Sequence, residues 1–316
     1  MKKHIKKIAA LLAILILMPM GTALAIDTEV IDERWGKPVY VYGGGLSESE
    51  VQQTGKLLGI TNYDNVNAMS VTGEDEIKYL GSGEGVTGDM ISSVLVKKRG
   101  ENYGVNVTIE TPDKITQITA DQYRNASITA GVTNADIIIA SVKPVTGESA
   151  LTGVYKAFDT SGEALNTVRM QVAQKELETT NDIAQENKDK SGFNINNLNQ
   201  VIINVKQELG KVNTETGEVA SLDEIRQFIE EAIVKYDLKE VVTSEQVNRL
   251  VQLFEEYQTS GAVNDAEVKE QLGILASQVK DKATQIYEDA KESGLLDKIL
   301  SGIASFFQWV SSLIGS

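Results

Sequence analysis

Proline stops at position 144. The chain's four prolines are Pro19, Pro38, Pro112 and Pro144, and the 172 residues from 145 to 316 contain none. Proline deletes an amide donor and clashes with the preceding helical turn, so a long proline-free stretch with periodic apolar residues suits uninterrupted helices. Helices are therefore predicted over 162–190, 195–209, 221–239, 244–259, 264–293 and 295–314, with Gly192, Gly210, Gly261 and Gly294 as stops. Ser221 with Glu224 makes a capping-box pair, and Leu222, Ile225, Phe228, Ile229, Ala232, Ile233 and Tyr236 follow at helical spacing. Val247, Leu250, Val251, Phe254 and Tyr257 repeat the pattern, and Val268, Leu272, Leu275, Val279 and Ile286 extend it along a longer helix. An antiparallel bundle is the simplest architecture that buries all of these stripes.

The residues before Pro144 read differently. Short β-branched or aromatic runs at Val39–Tyr42, Val66–Val71, Met90–Lys98, Val105–Ile109 and Asp136–Val142 predict five strands separated by glycine-rich turns. Arg99-Gly100-Glu101-Asn102 predicts a hairpin between the third and fourth. Two helices fit the gaps, one capped by Ser47 and stopped by Gly59, the other running from Thr119 to about Ala130 and stopped by Gly131. The fold class expected is α+β, an N-terminal mixed strand and helix layer domain followed by a mostly antiparallel α-helical bundle. The boundaries expected are 1–25, 26–160, 161–293 and 294–316.

The first of these segments is read as a secretory signal peptide. Lys2, Lys3, Lys6 and Lys7 precede an apolar run from Ile8 to Met18, a Pro19-Met20-Gly21 break and the small-residue triplet Ala23-Leu24-Ala25. That order, with a run too short for a resident membrane helix, predicts cleavage between Ala25 and Ile26. The only histidine, His4, lies inside the segment, and the chain has no cysteine. The mature chain would hold neither imidazole nor thiol, which excludes Ser-His-Asp and cysteine nucleophiles, disulfides and ordinary zinc sites. Loss of the four lysines takes the formal charge from −15 to −19. Such a charge disfavours nucleic acid, which is bound by neutralising phosphates.

The phrases Thr119–Ala126 and Ile128–Val132, then Ala135–Ser141 and Val145–Tyr155, resemble the YpuA-like family of secreted Gram-positive bacterial proteins, a catalogued domain of unknown function. Gly45-Leu46-Ser47, Leu57-Leu58-Gly59, Ile91-Ser92-Ser93 and Gly104-Val105 resemble it as well. The matched pieces span roughly 39–160. The resemblance implies a location and an architecture; it supplies no activity and no catalytic residues.

Several short motifs carry candidate chemistry, each with a structural alternative. Gly83-Glu84-Gly85-Val86-Thr87-Gly88 fits G-x-G-x-x-G, but a dinucleotide loop must open a helix, and here a β-rich run follows. A turn is the simpler reading, as it is for Gly43-Gly44-Gly45. Ser149 in Gly147-Glu148-Ser149-Ala150 has no histidine to activate it; Ser149 or Thr146 is expected to cap a helix through Leu151, Val154, Tyr155 and Phe158. Ser277-Gln278-Val279-Lys280 matches S-x-x-K without its partner motifs. Asn213–Glu218 with Glu224 resembles a calcium loop whose glycine falls at the fifth place instead of the sixth, so calcium is the one cation weighed and no other cofactor is implied.

A final amphipathic stripe is the most suggestive physical feature. Leu296, Ile299, Leu300, Ile303, Phe306, Phe307, Val310, Leu313 and Ile314 recur every three or four residues opposite Ser301, Ser305, Gln308, Ser311 and Ser312. Ile299, Ile303, Phe306, Phe307, Trp309 and Val310 are the predicted partner or membrane face, through docking, self-association or contact with an envelope surface. The function expected is a secreted, non-catalytic binding or structural protein of the cell envelope or extracellular space, its ligand unspecified. The rival is a carboxylate-dependent hydrolase of cell-wall glycan, which needs only two Asp or Glu side chains across a cleft.

Overall fold

The computed structural model describes residues 35–81 and 83–278. Ala23, Ala25 and Ile26, at the predicted cleavage site, and the predicted terminal face from Ile299 to Val310 lie outside the described residues. Five strands form one mixed sheet: β1 (Val39–Gly43), β2 (Asn67–Val71), β3 (Ser93–Lys98), β4 (Val105–Ile109) and β5 (Ala135–Ala140), in the order β2-β1-β3-β5-β4. The helices between and after them are α1 (Glu48–Leu57), α2 (Gly73–Leu80), α3 (Ala120–Ala130), α4 (Ser149–Thr160), α5 (Thr167–Asn187), α6 (Ile195–Thr216), α7 (Leu222–Lys235) and α8 (Ser244–Thr259). A ninth, α9, is described over 266–278. The fold is α+β, as the residue pattern predicts.

The alternation of strand residues assigns the two faces of the sheet. Val39 and Val41, Val94 and Val96, and Ile137 and Ile139 face α3 and α4 in the larger core. Tyr40 and Leu95 point to the opposite face, where with Ala140 of β5 they pack against Leu58 and Ile60. Successive side chains alternate across a strand, so one register serves both layers. The predicted hairpin does not form. β3 pairs antiparallel with β5, and β4 pairs parallel with the far edge of β5, at Val105 with Ala135 through Ile109 with Ile139. A parallel pair needs a crossover, and α3 supplies it; β5, with its Ile137-Ile138-Ile139 run, takes the more buried place between β3 and β4.

α5 faces both of the large cores. Met170, Ala173 and Leu177, spaced by three and four, join the sheet-side core, whereas Val172 and Ile183 join the cluster formed with α6, α7 and α8. Helix ends follow local chemistry: Ser221 and Glu224 form their reciprocal cap, Gly131 ends α3 and Gly261 follows α8 with left-handed φ. Gly210 is not a stop, because α6 runs on to Thr216 and Gly217 takes the left-handed position. The 162–190 segment starts later, with Asn166 capping α5 and a separate α4 before it.

Candidate acidic cleft

The loops that leave β1, β2 and β5 and the loop that enters β3 meet at one end of the sheet. Their backbones are packed so closely that side chains have no room: a Cβ on Gly73 would lie 2.0 Å from Gly85 O, and one on Gly45 would lie 2.3 Å from Gly88 O. This close approach accounts for both glycine motifs. The amides of Gly43-Gly44-Gly45 are already used, since Gly43 N donates to Ser93 Oγ, Gly44 N to Val71 O and Gly45 N to Met90 O, and Gly73 N donates to Thr87 Oγ1 of the second motif. The G-x-G-x-x-G stretch leads into a single 3-10 turn, Thr87–Asp89, and then β3, so no helix of that loop points its amides at a phosphate.

Against these walls lies a cleft of about 250 Å³ whose charged lining is all acidic: Glu76 from α2, Glu84 and Asp89 from the 83–89 loop, and Glu148 at the start of α4. The 145–148 side is held firmly. Val145 N donates to Lys114 O and Thr116 N donates to Val145 O, while the buried Tyr123 hydroxyl donates to Gly147 O. Gly147 sits at φ +113°, where a Cβ would also strike the Tyr123 hydroxyl oxygen at 2.4 Å.

Glu148 is the perturbed group. Burial raises its carboxyl above the usual range, and the negative charges of Glu178, Asp182 and Glu76 push the same way against a hydrogen bond from Thr146. Like charges converging on a partly desolvated carboxylate favour a proton or a cationic or hydroxyl-bearing ligand there. Among the described residues no group of three or more Asp, Glu, His or Cys is placed to hold a metal ion.

The other predicted site residues fall elsewhere. Ser149 opens α4 but does not cap it; the N-cap is Glu148, with no side-chain capping bond. The suggested calcium loop is not one continuous loop: Asn213–Thr216 are the last turn of α6, 217–221 connect it to α7, and Glu224, within α7, accepts hydrogen bonds from Ser221. A larger cavity of about 660 Å³ lies at the opposite end of β3 and is lined by Lys98, Arg99 and Arg169. Each of these bases is matched by an acid, Lys98 with Glu163 at 2.6 Å, Arg99 with Asp136 at 2.7 Å and Arg169 with Asp265 at 2.6 Å. Glu76 escapes a reading by motif because α2 is short and starts on glycine. The signal for it is the Thr72 and Asp75 pair, which form a capping box.

Residues 42–275 match the family model described as "Protein of unknown function (DUF1002)". The chain is 31% identical over 308 residues to the uncharacterized protein YpuA of Bacillus subtilis (strain 168), an alignment covering 95% of this chain and 96% of that protein. No solved structure matches it significantly.

Proposed function

The chain belongs to the DUF1002 family, and on that premise we propose that it is an exported, non-catalytic binding protein of the cell envelope. Its ligand is a cationic, hydroxyl-rich molecule such as an amino-sugar oligomer. The observation that carries the reading is the cleft itself: Glu76, Glu148 and the pair Glu84 and Asp89 arrive from three segments of the chain onto a backbone closely packed through its glycines. Carboxylates accept hydrogen bonds from hydroxyls and pair with ammonium groups, and a preorganised set of them loses little entropy on binding. Export rests on the charged, apolar and small-residue order of residues 2–25.

The test is calorimetric titration of the full chain with a glucosamine oligomer and with its N-acetylated counterpart. Binding of the amine form should exceed that of the acetylated form, weaken with salt, and fall about tenfold in Glu84→Gln/Glu148→Gln. Equal binding by the variant would remove the cleft from the account.

Glu148 favours a second reading, glycan hydrolysis, because an acid raised above its usual range beside other carboxylates is the requirement for protonating a leaving group. That reading predicts release of reducing ends from wall glycan by the parent and none by Glu148→Gln. The binding reading predicts none from either.

A further inference from the structure

The carboxylates of the acidic cleft have no basic partner. Among the described residues none of Glu76, Glu84, Asp89 and Glu148 takes part in an ion pair, and neither does Glu178 of α5, whose charge bears on Glu148. Glu178 also lines a second cavity, a groove of about 540 Å³ walled by the end of α2 and by α5 and α8. The two spaces adjoin along α2, because Glu76 in the cleft and Leu80 in the groove are four residues apart, one helical turn or about 6 Å.

The groove has a different chemistry from the cleft. Its charged lining is Glu178 and the ion pair of Lys175 with Glu256, so it holds one unpaired negative charge where the cleft holds four. Leu80, Val168 and Val172 supply an apolar wall, and Val168 is 53% exposed. Two carboxamides stand beside that wall. Gln171 is exposed, and a Cβ on Gly81 at the end of α2 would lie 2.4 Å from its Nε2, so the glycine makes room for this amide. Gln174 is only 8% exposed; its Nε2 donates to Glu178 Oε1 at 2.9 Å, while its Oε1 has no donor. A buried amide oxygen without a donor is rare, and here it belongs to a side chain that lines a cavity.

We propose that cleft and groove form one site for a partly N-acetylated amino-sugar chain, with a free amine in the cleft and the neighbouring acetylated unit in the groove. The inference rests on the binding reading given above and adds a second subsite to it. An acetamide joins a methyl group to an amide. The methyl lies on the wall of Leu80, Val168 and Val172, and a turn of the Gln174 side chain lets its oxygen accept from the amide N–H or a ring hydroxyl. Gln171 meets the remaining hydroxyls. A glucosamine unit in the groove would instead press an ammonium against the apolar wall, losing hydration with Glu178 alone to meet it. Glu178, whose charge reaches Glu148, strengthens the hold on the amine next door.

Calorimetric titration of the full chain with four disaccharides of glucosamine tests this: the diamine, the two mono-acetylated isomers and the diacetylated form. The parent should bind one mono-acetylated isomer about tenfold more tightly than the diamine, with the diacetylated form weakest. Gln174→Leu should abolish that preference while leaving affinity for the diamine within about twofold of the parent. Gln171→Ala, at an exposed position, should reduce the preference and keeps the test open where Gln174→Leu is unstable. Equal binding of the diamine and both isomers by the parent, or a preference that survives in both variants, overturns the second subsite; the cleft reading then stands provided that Glu84→Gln/Glu148→Gln still weakens the diamine. Binding of the diamine that this double variant leaves unchanged, or no binding of any disaccharide, overturns both.

Discussion

Replacing Lys206 with methionine should be one of the most damaging single changes in the molecule. Lys206 is 1% exposed, and its ammonium bonds Glu176 Oε1 at 2.6 Å, Thr129 Oγ1 at 2.7 Å and Asn125 O at 3.1 Å. It also lies 5.6 Å from the centre of the Tyr257 ring, so one side chain joins α3, α5, α6 and α8. Methionine keeps most of the stem, which makes the loss electrostatic instead of volumetric. Glu176, 3% exposed at its side chain, is left charged with only the Thr129 hydroxyl as a side-chain donor. Orphaning one member of a buried pair costs about 3–5 kcal/mol, whereas replacing both members with apolar side chains is often close to neutral. At a urea dependence of about 2–3 kcal/mol per molar, Lys206→Met should lower the unfolding midpoint by about 1–2 M. Lys206→Met/Glu176→Leu should recover most of that loss. Equilibrium urea unfolding followed by circular dichroism measures both. A midpoint shift below about 0.3 M for the single variant, or a double variant no better than the single, would refute the reasoning that an unpaired buried charge dominates here.

Three further changes probe the cleft and the helix ends. Gly147→Ala places a Cβ against the Tyr123 hydroxyl and Ile115 at a backbone angle suited to glycine, and should lower stability by about 2–4 kcal/mol, read as a lower thermal midpoint. Burial and acidic neighbours hold Glu148 high, so the folded chain keeps this proton at a pH where the unfolded chain has released it. Stability therefore falls as pH rises through that window, and Glu148→Gln should be more stable than the parent above it. The two should converge as pH drops below the ordinary glutamate range, which urea melts across pH will reveal. Ser221→Ala removes the hydroxyl that donates to the Glu224 carboxylate and accepts from its amide but keeps the residue 221 amide, the stronger hold on that carboxylate, so it should cost about 1 kcal/mol and raise the Glu224 pKa only part of the way back, observable by carboxyl NMR titration.

Local chemistry made many of the elements readable. The run Val105–Ile109 is predicted and found with the same ends, and the reciprocal caps at Ser47, Thr119 and Ser221 start helices where the sequence places them. Pairing was not readable, because the turn at 99–102 has hairpin chemistry while the isoleucines of β5 compete with β4 for the place beside β3 and win it. α2 was missed for a physical reason: its eight residues make only about two turns, too few for its apolar Ile77, Tyr79 and Leu80 to repeat, although Thr72 and Asp75 mark its start. Gly210 shows the opposite error, a glycine with no conformational demand read as a stop. The acidic cleft was hidden because Glu76, Glu84, Asp89 and Glu148 belong to no common motif, and only the loop convergence at the end of the sheet brings them together. The glycines around it were visible in the sequence, but their role is backbone contact and not phosphate binding.

The claim that this cleft is a ligand site is tested most directly by NMR. A ¹⁵N-labelled full chain titrated with a glucosamine oligomer should show amide shifts concentrated at 84–89 and 145–149, and those shifts should vanish in Glu84→Gln/Glu148→Gln. Shifts that cluster elsewhere, or that persist unchanged in the variant, would contradict it.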